Sequence, residues 1–162
     1  MGVRKKDDSD LFGRNRLMWN EVKYQPGQIK VVALDSSGKA MEERVIKTSG
    51  KPHKIILEAD RNTIKADGKD LAFITATIVD ANGNVCPHAD NELLASVKGN
   101  LTFKTIANGD PTNLQLFHQP RMKAFSGKLV ITVQASEIGG KGQLVVSAKG
   151  LASANMDLTV VD

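Results

Sequence analysis

Apolar and polar positions alternate along most of this chain in short runs, and the clearest run is Leu71-Ala-Phe-Ile-Thr-Ala-Thr-Ile-Val79. Its β-branched content and period of two predict a strand, because successive side chains of a strand point to opposite faces. Runs of the same kind predict strands at Lys54–Ala59, Leu93–Val97, Leu101–Ile106, Leu129–Gln134, Gly142–Ala148 and Asn155–Val161. Asp80-Ala-Asn-Gly-Asn84 closes the Leu71 strand with an Asn-Gly turn, a strong hairpin signal. Arg61–Lys69 reads as a polar connection. No segment after residue 50 carries a sustained 3.6-residue apolar period with caps, so helices are not expected there. About seven strands over about 110 residues match a complete immunoglobulin-like β-sandwich, which makes the fold class all-β. The expected core draws on Ile56, Phe73 or Ile74, Ile78, Val97, Leu129, Ile131, Val133, Leu144, Val146, Leu158 and Val160. Both parities of the Leu71–Val79 strand are apolar, so its inward face stays open.

The N-terminal segment predicts short strands at Arg16–Trp19, Ile29–Leu34 and Glu43–Lys47, with Gly2–Lys6 as the tail of another. A Pro26-Gly27 turn and the turn Asp35-Ser-Ser-Gly38 separate them. Three strands make roughly half of a sandwich, and Thr48-Ser-Gly-Lys-Pro-His53 is a natural boundary because its proline cannot donate to a central ladder. The expected organisation is an incomplete small β-sandwich over residues 1–50 followed by a complete one over 51–162. Half a sandwich leaves a strand edge and an apolar face uncovered, so the first segment is expected to dock on the second domain or to self-associate with another copy of the chain.

The charge of the 162-residue chain changes this picture little. The formal net charge is +4, but the bases are interleaved with acids, and even Arg4-Lys5-Lys6 is followed by Asp7-Asp8. Nothing clusters as a nucleic-acid partner would require. Cys86 is the only cysteine, so an intrachain disulfide is excluded. Neither a signal-type apolar region nor a run of membrane-spanning length occurs, so no membrane partner is expected.

The motifs that could carry chemistry fall short. Asp80-x-Asn82-x-Asn84 imitates half of a calcium loop, but Val85 and Asn91 stand where Gly and a bidentate Glu belong. Five Gly-Lys pairs lack the following Ser or Thr of a phosphate loop. Cys86-x-His88-x-Asp90 has no second cluster to complete a tetrahedral metal set. The acids Glu42, Glu43, Glu58, Glu92 and Glu137 cannot be paired into the dyad that glycoside hydrolysis needs. No catalytic residue, metal site or cofactor is therefore expected. What stands out is the connection Asn108–Lys128, much longer than the usual about 4–6 residues. Its Phe117 and Phe125 argue for order. Asp110, Phe117, Arg121, Lys123 and Phe125 in this loop, with Trp19 and Tyr24 upstream, are the candidate interdomain or glycan contacts.

Asn108-Gly-Asp-Pro-Thr112, Arg121-x-Lys-Ala-Phe-x-Gly-Lys128, Ala66-Asp-Gly-Lys-Asp-Leu71 and Val79-Asp-x-x-Gly-Asn84 resemble the last sandwich domain of family 2 glycoside hydrolases of the β-galactosidase kind from carbohydrate-degrading gut bacteria. Arg16-Leu-Met-Trp-Asn20 and Tyr24-Gln-Pro-Gly-Gln-Ile-Lys-Val-Val-Ala33 resemble the small sandwich that precedes it. The resemblance implies a retaining, exported parent enzyme whose remaining domains are this chain's partners. The parent's catalytic barrel, which needs about 250 residues by itself, is absent here. The chain is thus expected to be a non-catalytic accessory region that packs domains and shapes substrate access. A carbohydrate-binding module and an immunoglobulin-like spacer of a surface adhesin are the alternatives.

Overall fold

The computed structural model describes residues 2–6, 9 and 15–162. Met1 and the pair Asp7-Asp8 lie outside the described residues. The described residues are all-β, with eleven strands and no helix. They fall into two compact units, one ending at Thr48 and the other spanning Ser49–Asp162.

The first unit is a hairpin of β1 (Gln28–Leu34) and β2 (Ala40–Lys47), paired antiparallel from Gln28↔Lys47 with a register shift at Ala33/Leu34. Asp35 builds its turn: Oδ1 accepts from the Ser37 and Lys39 amides at 2.8 and 2.9 Å. At the open end Thr48 and Gly27 exchange two bonds, the Thr48 amide donating to the Gly27 carbonyl and the Gly27 amide to Thr48 Oγ1. The expected strand at Arg16–Trp19 and strand tail at Gly2–Lys6 are not among the strands of the described residues. Apolar content is a weak signal for a strand, because strand formation depends on pairing and packing in the folded chain.

The second unit is a sandwich of nine strands. A four-stranded sheet has the order β3-β5-β9-β7, from β3 (Lys54–Ala59), β5 (Leu71–Val79), β7 (Leu101–Ala107) and β9 (Lys128–Ala135). A five-stranded sheet has the order β4-β11-β10-β6-β8, from β4 (Thr63–Lys65), β6 (Glu92–Gly99), β8 (Arg121–Lys123), β10 (Gly140–Ser147) and β11 (Ala154–Val161). All pairings are antiparallel except β11 with β4.

Alternation sets what each face buries. On β5 the even positions Ala72, Ile74, Ala76 and Ile78 are fully buried while Phe73 is 44% exposed, which settles the inward face. Ile78 stands opposite Ile55, so Ile55 enters the core and Ile56, expected there, is 41% exposed. Leu129, Ile131, Val133, Leu144, Val146, Leu158 and Val160 are buried as expected, and Val97 packs against them half-buried. Each fully buried aliphatic side chain of this size contributes about 1.5–3 kcal/mol. β4 and β8 lie in stretches read as connections, and each adds one plug to the core, Ile64 and Met122.

Candidate functional site

The long connection is built from its amides and acids upward. Asn108 Oδ1 accepts from the Asp110 amide and from Asn113 Nδ2. Asp110 Oδ1 accepts from the amide and hydroxyl of Thr112 at 2.9 and 2.8 Å, and Asn113 Oδ1 accepts from the Gln115 amide. These are side-chain-to-backbone turns of the kind Asn and Asp favour. The Thr112 amide, foremost, holds the Asp110 carboxyl below the usual carboxylate range.

From this knot the loop reaches two sheets. The Phe117 carbonyl accepts from the Ile106 amide at 2.9 Å and from Thr105 Oγ1 at 3.0 Å, both on β7. Asn108 Nδ2 donates to the Lys123 carbonyl at 2.8 Å, and the Lys123 amide donates to Gln115 Oε1 at 3.1 Å, both on β8. Asn113 Nδ2 also reaches Met122 Sδ at 3.4 Å.

The loop's candidate residues fall along this framework with their side chains outward. Arg121, Lys123, Phe117 and Phe125 are exposed, and Asp110 is half-buried. Arg121 borders an open recess of about 510 Å³ with Glu92, Leu94, Ala148 and Lys149. Phe125 lies over Gly109, where an added Cβ would stand 3.7 Å from Cδ1. Trp19 and Tyr24 belong to the other unit: Trp19 Nε1 donates to the Gly2 carbonyl at 3.3 Å, and the Tyr24 hydroxyl donates to Thr48 Oγ1 at 3.4 Å. The Tyr24 ring is 75% exposed.

A second polar centre was read in the sequence only as a turn. Asp80, 2% exposed, accepts from the amides of Gly50, Asn82 and Asn84 at 2.7, 2.9 and 2.8 Å and from Asn84 Nδ2 at 3.0 Å. The Gly50 amide leads the donors that lower its pKa to about 2. Beside it, Cys86 is buried with Sγ directed at the Gly50 carbonyl, and burial pushes its thiol up, away from the reactive thiolate. His88 and Asp90 are exposed, so Cys86-x-His88-x-Asp90 does not converge. Among the described residues no three His, Cys, Asp or Glu side chains are placed to hold a metal ion. Glu43 pairs with Lys30 at 2.6 Å and Glu42 with Arg44 at 2.7 Å on the surface of the first unit. The arrangement around Asn108–Lys128 can brace and present a surface.

Comparison with known proteins follows the same division of the chain. The family described as glycoside hydrolase family 2 C-terminal domain 5 matches residues 55–157. A domain of unknown function, DUF4982, matches residues 1–42. The β-galactosidase BoGH2A of Bacteroides ovatus is 39% identical over 158 residues, 98% of this chain and 18% of that protein. A glycosyl hydrolase family 2 member from Bacteroides cellulosilyticus superposes with a TM-score of 0.87 at 28% identity, over 95% of this chain and 20% of that one. A β-glycosidase from Bacteroides vulgatus gives a TM-score of 0.81 at 32% identity, over 86% of this chain and 18% of that one. The chain therefore spans about a fifth of the length of these relatives.

Proposed function

Because the chain belongs to the glycoside hydrolase family 2 C-terminal domain 5 family, we infer that it serves as a non-catalytic accessory region of a β-galactosidase-like enzyme. It packs against the remaining domains of that enzyme and shapes the approach of substrate. The observation that carries this reading is the alignment of nearly the whole chain with under a fifth of the Bacteroides ovatus β-galactosidase. The outward side chains of the bonded loop, Phe117, Arg121, Lys123 and Phe125, are the proposed contacts, together with Trp19 and Tyr24. Exposed aromatic and Arg side chains are the types that dominate protein contacts when a partner covers them.

The test is alanine substitution of Tyr24, Phe117 and Arg121 in the full-length enzyme. Packing predicts a lower melting temperature for the intact enzyme, and a shaped substrate approach predicts a raised KM on a chromogenic galactoside with kcat retained. Unchanged melting in all three variants would remove the proposed contacts. The exposed Tyr24 ring favours glycan binding as a second reading. Retardation of the isolated chain in galactan-containing gels, abolished by Tyr24→Ala, would decide for it.

A further inference from the structure

β7 ends the four-stranded sheet and β8 ends the five-stranded one. Such outer strands carry backbone groups with no ladder partner, a template for pairing with another chain, and folded proteins cover or disrupt them. On β8 the side turned to β6 is marked by the Ala95 amide donating to the Pro120 carbonyl and the Ala124 amide donating to the Asn91 carbonyl. Alternation in an antiparallel ladder then turns both backbone groups of Lys123 outward. Both are taken by side chains of one loop, the carbonyl by Asn108 and the amide by Gln115. The same loop takes the Ile106 amide on β7 through the Phe117 carbonyl.

We propose that Asn108–Gln119 is an edge guard: a strap that occupies one open edge of each sheet, at Lys123 of β8 and Ile106 of β7, and keeps a second copy of this chain from adding a strand there. The two amide side chains do the work of a tenth strand without offering a new edge of their own. The internal bonds of Asn108, Asp110 and Asn113 hold those amides in place.

The test uses the 162-residue chain, three single variants and one double variant. Gln115→Ala removes the acceptor for the Lys123 amide, Gln115→Glu keeps an acceptor, and Leu114→Ala alters a side chain that is 95% exposed in the same loop. Amide exchange at Lys123, read by NMR, is expected to quicken about 3–10-fold in Gln115→Ala, the range set by one lost net hydrogen bond. Gln115→Glu and Leu114→Ala should hold the native rate. Sedimentation across a concentration series should show Gln115→Ala associating at lower concentration than the parent chain, with Asn108→Asp/Gln115→Ala lower still. Unchanged exchange in Gln115→Ala overturns the cap. Faster exchange with unchanged association in both variants overturns the guard. If the double variant loses its sandwich by circular dichroism, the single variant decides.

Discussion

Gly127 sits where three segments meet. With Ser126 it forms a two-residue turn in which both residues have positive φ, 50° and 75°, and Phe125 and Lys128 close the turn with bonds of 2.9 and 3.0 Å. The Gly127 amide donates to the Ala89 carbonyl, and its own carbonyl accepts from the Ile78 amide. A Cβ on Gly127 would be driven into the carbonyl oxygen of Cys86, a backbone atom with little room to yield. Gly127→Ala therefore combines a left-handed backbone cost of about 1–2 kcal/mol with an overpacking cost of about 1–3 kcal/mol. Gly83, at φ 84°, has nothing within 4 Å of its Cβ position, so Gly83→Ala carries the backbone cost alone. Against a domain stability of about 5–15 kcal/mol, the first change is severe and the second mild. Urea unfolding followed by circular dichroism separates them. With an m-value of about 2 kcal/mol/M, the midpoint should fall by about 1–2.5 M for Gly127→Ala and by about 0.5–1 M for Gly83→Ala. Equal midpoints would refute the steric reasoning and with it the three-way junction.

Three further outcomes are expected. Met122→Ala should lower stability by about 2–5 kcal/mol, the usual range for a fully buried side chain of its size, read as a loss of thermal midpoint. Arg121→Ala and Lys123→Ala should each stay within about 0.5 kcal/mol in the isolated chain; a larger loss by urea titration would mean that these outward side chains hold the fold. For Asp80, the folded pKa of about 2 lies below the ordinary 3.8. The unfolded chain therefore binds more protons between those values, and the stability due to Asp80 is present above about pH 4 and lost as pH falls towards 2. Asp80→Asn should flatten that limb of the stability–pH curve, and an identical limb in both proteins would rule out the carboxylate as its source.

Strands long enough to show alternation were legible in the sequence, β5 most of all. β4 and β8 were not, because three residues with a single inward side chain, Ile64 or Met122, cannot display a period. Ile55 and Ile56 are adjacent and chemically alike, so only the register against Ile78 decides which enters the core. At Arg16–Trp19 the composition suits a strand, yet none is assigned there among the described residues. The long loop was legible as unusual, while the residues that hold it, Asn108, Asn113 and Gln115, carry neither charge nor aromatic ring to mark them. The available signal was three side-chain amides within eight residues beside a predicted sheet. Asp80 was recognisable as a turn residue, but its bond to Gly50, thirty positions away, depends on the folded chain.

The proposed role, support of a glycoside hydrolase without performing its chemistry, has a direct test. The direct measurement is hydrolysis of a nitrophenyl β-galactoside by the purified 162-residue chain. The account predicts no release above the buffer blank at any protein concentration. Saturable release proportional to the amount of folded chain would contradict it.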